Sequence, residues 1–270
     1  MDATDFARTF RLDNRVVAIT GASRGIGRAT ALACAAAGAD VAVLARDFAA
    51  LQAVCHEIEN TFPSRAVPVR LDISRSEDIG PAVDSVLQTL GRIDVLVNNA
   101  GMNIRQQSSE TCSLDDWDTI FNTNARGTFA ITQLAARDMA TRQRGKIVNV
   151  GSVAALIGLP AVPAYSASKA AVQQLTRVLA VEWAARNIQV NAIAPGFVAT
   201  EMTAGLWTDA ALKARYDWVL SHTPQRRLGQ PEEIAAAIVF LASAASNFIT
   251  GHVLVADGGL VAGSEWRFDE

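Results

Sequence analysis

Thr20-Gly21-Ala22-Ser23-Arg24-Gly25-Ile26-Gly27 follows the apolar run 15–20 (RVVAIT) and opens the Ala-rich periodic segment 25–37. Glycine lets a backbone turn tightly and approach a ligand closely. A helix that starts at such a turn presents free N–H groups and a positive dipole, which suit a pyrophosphate. The strand–turn–helix context gives the cluster its meaning. Its spacing, G-x-x-x-G-x-G, is a variant of the commoner G-x-G-x-x-G. Gly21, Ser23, Arg24, Gly25, Ile26 and Gly27 are therefore expected to face a bound dinucleotide.

Outward from this turn, short β-branched runs alternate with longer periodic segments. Residues 15–20, 40–45, 66–71, 93–97, 146–150, 189–193 and 252–255 read as strands. They are apolar nearly throughout, as strands covered on both faces are. Residues 25–37, 48–61, 77–90, 114–141, 164–186 and 231–242 read as helices. Pro231 followed by Glu232 and Glu233 is a good helix start. This alternation predicts an α/β fold: one doubly wound Rossmann domain over residues 1–270, its seven-stranded parallel sheet flanked by helices. Residues 200–227 break the rhythm. They carry Met202, Leu206, Trp207, Leu212 and Trp218, and read as short helices on a substrate-binding flap.

Composition narrows the function. The formal net charge is −3, so no excess of positive charge exists to neutralise a phosphate backbone or an anionic membrane. No uncharged apolar run reaches the ~20 residues of a membrane span. The start carries Asp2, Asp5, Arg8, Arg11 and Asp13, against an apolar signal segment. Cys34, Cys55 and Cys112 cannot form a closed disulfide set and read as thiols in a reducing cytoplasm. His56, His222 and His252 are scattered, without metal-ligand spacing. The expectation is a cytoplasmic protein with a small-molecule ligand, no nucleic acid, no membrane and no metal.

In folds of this kind an acidic residue at the end of the second strand binds ribose hydroxyls, and an arginine there accepts a 2′-phosphate. Here that place holds Ala45 and Arg46, with Arg24 in the glycine turn. Two guanidiniums suit one phosphate, so NADP(H) is favoured over NAD(H). Asp47 opposes this, because its carboxylate can pair with Arg46 or reach a ribose. Further on, Tyr165 and Lys169 stand one turn apart at a helix start. A phenol titrates near 10 and is a poor acid or base at neutral pH. A neighbouring ammonium is expected to stabilise the phenolate. Ser152 follows the fifth strand at the edge where open α/β sheets bind ligands.

With these residues in place, the chain over 12–259 resembles the short-chain dehydrogenase/reductases. The matching motifs are Thr20-Gly21-x-x-x-Gly25-x-Gly27, Asn98-Asn99-Ala100-Gly101, Asn124, Ser152, Tyr165-x-x-x-Lys169 and Pro195-Gly196. The resemblance implies a catalytic tetrad of Asn124, Ser152, Tyr165 and Lys169. By it, Tyr165 gives or takes the proton, Ser152 polarises the carbonyl, Lys169 grips the nicotinamide ribose and Asn124 holds a relay water. It further implies that Asp72, Ile73, Asn99, Ala100 and Gly101 line the adenosine side, and Ile193, Pro195, Gly196, Val198 and Thr200 the nicotinamide end. Asn98 reads rather as a strand-stabilising residue, and Asp72 also reads as a helix cap.

The substrate pocket is expected from Ser152, Val153, Ala154, Leu156 and Ile157, from Asn103 and Arg105, and from the flap, with Phe197, Met202, Leu206 and Trp207. Within the family the pattern is most similar to gluconate 5-dehydrogenase-like and 3-oxoacyl-carrier-protein-reductase-like members. The implied activity is hydride transfer between NADP(H) and the carbonyl of a sugar acid, polyol or small keto compound. The alternatives are a β-keto reductase of the acyl-carrier type and a dinucleotide-binding regulator without turnover. The resemblance also implies a homotetramer, and Trp266 and Phe268 in the tail suit contact with a neighbouring subunit.

Overall fold

In the computed structural model, residues 2–104 and 108–263 are described. Seven parallel strands form one sheet in the order β3-β2-β1-β4-β5-β6-β7. They are β1 (Val16–Thr20), β2 (Asp40–Ala45), β3 (Ala66–Arg70), β4 (Val95–Asn98), β5 (Gly145–Val150), β6 (Ile188–Pro195) and β7 (Val253–Ala256). Every residue of β1, β4 and β5 is buried, because helices cover both faces.

The helices are α1 (Ala3–Arg8), α2 (Gly25–Ala36), α3 (Phe48–Thr61), α4 (Ser76–Leu90), α5 (Leu114–Phe121), α6 (Thr128–Thr141), α7 (Pro163–Trp183), α8 (Gly205–Thr208), α9 (Lys213–His222) and α10 (Pro231–Ala242). Strand side chains alternate between faces, so β1 splits its apolar residues. Val17 and Ile19 pack with Cys34 of α2, Val54 of α3 and Ile238 of α10. Val16 and Ala18 pack with Val83 of α4, Ile131 of α6 and Leu179 of α7.

The strand order reverses between β1 and β4. Their connections leave to opposite sides, which opens a crevice at the carboxyl edge of the sheet. The glycine turn, the Asn99–Gly101 turn, Ser152 and Pro195-Gly196 all follow strands at that edge. At the opposite edge the buried carboxylate of Asp94 accepts from Val16 N at 2.9 Å, Arg92 Nε at 2.8 Å and Arg142 Nη1 at 2.9 Å.

The long helix predicted over 114–141 is broken. Between α5 and α6 the chain makes a π-helical segment, Asn122–Gly127. A Cβ on Gly127 would stand 2.2 Å from the Ile73 carbonyl oxygen, so the helix passes that loop closer than a side chain allows. The helix predicted over 164–186 ends at Trp183 and tightens into a 3₁₀ turn, Ala184–Arg186. The flap holds α8 and α9 as short helices. The N-terminal α1 was not anticipated; Asp2 caps it by accepting from Asp5 N at 2.7 Å.

Candidate active site

Thr20 and Asn99 join the two turns that flank the crevice. The Thr20 hydroxyl accepts from the backbone N–H of Asn99 at 3.1 Å and of Ala100 at 3.0 Å. In return the Asn99 amide donates to the Thr20 and Gly21 carbonyls, both at 3.0 Å. The glycine turn is therefore held in a fixed, open shape. Gly21 has φ +65° and Gly25 φ +54°, which other residues adopt only with strain. A Cβ on Gly27 would stand 2.2 Å from the Gly21 carbonyl oxygen, so glycine is required there for packing beneath the turn.

The crevice has a volume of about 600 Å³ and runs from Arg24, Arg46 and Asp72 to Ser152, Tyr165 and Lys169. Gly21, Ser23, Gly25, Ile26, Ile73, Asn99, Ala100, Gly101, Pro195, Gly196, Val198, Thr200 and Met202 also line it, where the sequence placed them. Arg24 stands at the N-cap of α2 without a capping side-chain bond, so the helix keeps its first N–H groups for a ligand. An open glycine cradle, an uncapped helix start and an elongated crevice fit a nicotinamide dinucleotide.

At the adenosine end the two charges beside Ala45 have different employments. The Asp47 carboxylate caps α3, accepting from Ala50 N at 3.0 Å. Arg46 makes no hydrogen bond or ion pair among the described residues. Arg24 meets the flap residue Glu201, Nη1 to Oε2 at 2.6 Å. Asp72 accepts from the Ser74 backbone at 3.1 Å and the Ser74 hydroxyl at 2.7 Å. Burial works against its charge. The Ser74 bonds and the positive Arg46 and Arg75 outweigh that and hold the carboxyl below its usual range. Asn98 is buried and donates to Thr132 Oγ1 and Asn149 Oδ1, both at 2.8 Å, which is the strand-stabilising role its position suggested.

At the other end, α7 begins with Pro163 and brings Tyr165 and Lys169 to the crevice. Ser152 is the N-cap of the short turn Val153–Ala155, and its Oγ accepts from Ala154 N at 3.1 Å. Lys169 Nζ donates to the Val150 carbonyl at 2.7 Å and lies 5.8 Å from the centre of the Tyr165 ring. Burial pushes the Lys169 amine down to about 8. Burial also pushes the Tyr165 phenol up, while a hydrogen bond with Ser152 pulls it the other way. Lys169 here points its amine at the Val150 carbonyl rather than hydrogen-bonding the phenol oxygen.

Asn124 sits in the π-helical segment and is buried. Its Oδ1 accepts from Met102 N at 2.8 Å, and its Nδ2 donates to Met102 O at 2.9 Å and Ser168 Oγ at 3.0 Å. Both amide hydrogens are thus committed to protein partners, and the side chain ties the loop after β4 to α7. The π-helical segment itself has no sequence signal that a single chain reveals.

Several expected substrate residues stand away from the crevice. Leu206 is 1% exposed and does not line the crevice. Phe197 lines a separate small cavity with Arg227, Gly229 and Asp257. Asn103, Ala154, Leu156 and Trp207 do not line the crevice, and Arg105 lies outside the described residues. Sequence reasoning missed Met102, Thr123 and Glu201, which do line it. Their adjacency to Gly101, Asn124 and Thr200 was the available signal.

A family model described as enoyl-(acyl carrier protein) reductase matches residues 21–261. The chain belongs to the short-chain dehydrogenase/reductase family, oxidoreductases that act on CH–OH and carbonyl groups. It is 44% identical over 253 residues to a 3-oxoacyl-[acyl-carrier-protein] reductase of Thermotoga maritima, covering 93% of this chain and 99% of that one. It is 39% identical to the gluconate 5-dehydrogenase of Gluconobacter oxydans, covering 93% and 96%. Among solved structures, a gluconate 5-dehydrogenase from Burkholderia cenocepacia in complex with NADP and tartrate superposes with a TM-score of 0.89 at 37% identity, covering 94% and 98%. Among the described residues no helix is long and apolar enough to cross a membrane, and no cluster of metal ligands occurs.

Proposed function

We propose that this chain is an NADP(H)-dependent reductase and dehydrogenase of small polar keto and hydroxy compounds, sugar acids foremost. One observation carries the reading: a single crevice begins at two arginines and ends where Ser152, Tyr165 and Lys169 converge. A bound nicotinamide supplies or accepts the hydride. Tyr165 holds the proton that the carbonyl oxygen gains or the alcohol loses. The Ser152 oxygen already accepts from Ala154 N, so its one hydroxyl proton is left to serve either the Tyr165 oxygen or a substrate oxygen in its place. Lys169, at the crevice wall, would hold the nicotinamide ribose, the role that the resemblance implies. Asn124 holds the Met102 loop against α7 through its side chain, and the relay water that the resemblance implies for it is part of this proposal.

The preference for NADP(H) over NAD(H) is supported by the employment of Asp47. Its Oδ1 is engaged in the α3 cap, while Arg46 stays available to a 2′-phosphate. The preference for sugar acids is supported by the gluconate-acting relatives. Reduction of β-keto acyl thioesters is the second reading, supported by the 44%-identical relative. Assembly as a homotetramer is supported by apolar side chains left on α5, α6 and α7: Leu114 is 79% exposed and Val181 82%, with Phe129 and Val178 about half as exposed. A cytoplasmic setting suits the three free cysteines.

The test is NADPH consumption against keto sugar acids, ketoses and β-keto thioesters, with Tyr165→Phe as control. Turnover of the first group identifies the proposed substrate class, and turnover of thioesters alone identifies the second reading. Tight NADPH binding with no consumption on any of them would make the chain a dinucleotide-binding regulator. Light scattering at the mass of a single chain would remove the tetramer.

A further inference from the structure

Four residues beyond Lys169 on the same face of α7, Gln173 is 3% exposed. Its side-chain amide donates to the main-chain carbonyl of Ser152, Nε2 to O at 3.0 Å. Lys169 meanwhile donates to the Val150 carbonyl. One face of α7 therefore grips the chain at two carbonyls, two residues apart, where β5 leaves the sheet. Between them Gly151 is squeezed: a Cβ there would stand 3.0 Å from Gln173 Nε2 and 3.1 Å from the Ile193 carbonyl. The glycine lets the glutamine close on the strand end.

We infer that Gln173 is a positioning residue for the reaction, acting through Ser152. Ser152 is pinned at three points: its carbonyl accepts from Gln173 and from the Ala155 N–H at 3.1 Å, and its Oγ accepts from the Ala154 N–H. Its remaining freedom is the direction of the hydroxyl proton. Backbone rotation at Ser152 would swing Oγ within the crevice that it shares with Tyr165, and Ala154 and Ala155 cannot prevent that, since both N–H groups belong to the same turn. The only described side chain that holds the Ser152 carbonyl from another element is Gln173. A displacement of about 1 Å in a reacting group costs on the order of 100-fold in rate. The grip also bears on the phenol, because the Ser152 bond draws its proton affinity down. This inference rests on the proposed dehydrogenase reading.

The experiment is Gln173→Met, which keeps length and apolar bulk but removes the donor, with Gln173→Glu as a second variant of nearly unchanged shape. On a substrate that the unmodified enzyme turns over, both should lower kcat by about 10- to 100-fold, with the Kd for NADPH within about twofold. A second readout needs no turnover. The chain has two tyrosines, Tyr165 and Tyr216. In a Tyr216→Phe background the tyrosinate absorbance titrates Tyr165 alone, and Gln173→Met should move that titration to higher pH. A role confined to packing would lower thermal stability and leave the titration in place. Unchanged kcat together with an unchanged Tyr165 titration overturns the inference. If instead the unmodified enzyme consumes no NADPH on any substrate, the dehydrogenase reading falls, and the titration still decides whether Gln173 sets the Ser152–Tyr165 contact. Should Gln173→Met not fold, Gln173→Glu carries both measurements.

Discussion

The Lys169 ammonium donates to the Val150 carbonyl at 2.7 Å while the Tyr165 ring centre lies 5.8 Å away. The pair is adjacent on α7 but is not an ion pair in waiting. Desolvation pushes the half-buried phenol up from its ordinary value, and a hydrogen bond with Ser152 offsets part of that. Reduction needs the phenol protonated, and oxidation needs it ionised. Reduction should therefore stay level through neutral pH and fade only as the phenol ionises in alkali, while oxidation climbs over that same range. Tyr165→Phe should cost about 10²- to 10⁴-fold in kcat in both directions. Rate–pH profiles measured in each direction check this, and parallel profiles would contradict it.

The cofactor preference should reside in Arg46 and Arg24. A hydrogen bond to a charged group is worth about 1.5–3 kcal/mol. Arg46→Ala should therefore weaken NADPH by roughly 10- to 100-fold and leave NADH unchanged. Glu201→Gln removes the carboxylate that now occupies Arg24, and should tighten NADPH a few-fold. Asp47→Ala should cost about 1 kcal/mol of stability through the lost cap, without reversing the preference. Fluorescence titration with both nucleotides measures the affinities and a denaturant melt the stability, and a large loss of NADH binding in Asp47→Ala would show that Asp47 serves a ribose as well as the cap.

Lys146 is a buried amine at the start of β5 with only a hydroxyl for company. Its Nζ donates to Ser246 Oγ at 3.0 Å. Burial first, and the positive Arg144 second, push it down to about 8. A lysine whose folded value lies below its unfolded one destabilises the fold at pH below the folded value. The penalty shrinks as pH rises from about 8 toward 10.5. Lys146→Met should raise stability by ~1–3 kcal/mol at pH 7, because Ser246 keeps its bond to the Leu241 carbonyl. Denaturant melts should show that advantage narrowing as the pH approaches 10. An advantage independent of pH would assign it to packing alone.

Asp94 holds Val16, Arg92 and Arg142 at the edge of the sheet opposite the crevice. Removing Asp94 leaves the Val16 N–H without its acceptor, a cost of about 1–3 kcal/mol, while Arg142 keeps Asp138 at 2.7 Å and Arg92 reaches solvent. Asp94→Ala should lower Tm substantially and leave the Kd for NADPH unchanged in the fraction that stays folded. A weakened Kd at full folding would show that the two edges are coupled.

The amino-acid sequence by itself determined the layers and most of the cofactor crevice. Runs such as 40–45 and 48–61 carry their own periodicity, and a strand covered on both faces has little choice but to be apolar. The glycine turn was legible because the phosphate-binding shape needs positive φ at Gly21 and Gly25, and Gly27 beneath it. Whether a side chain is free was not legible, since that depends on partners far away in the chain. Asp47 became a cap, Asn124 became a tie between Met102 and Ser168, and Glu201 came to meet Arg24 across the fold. Leu206 became buried and does not line the crevice. Local pattern sets secondary structure within a few residues, but hydrogen-bond partners and burial are settled only when distant segments pack. That is why tertiary structure alone decided that Lys169 points at Val150 and that Gln173 reaches the carbonyl of Ser152.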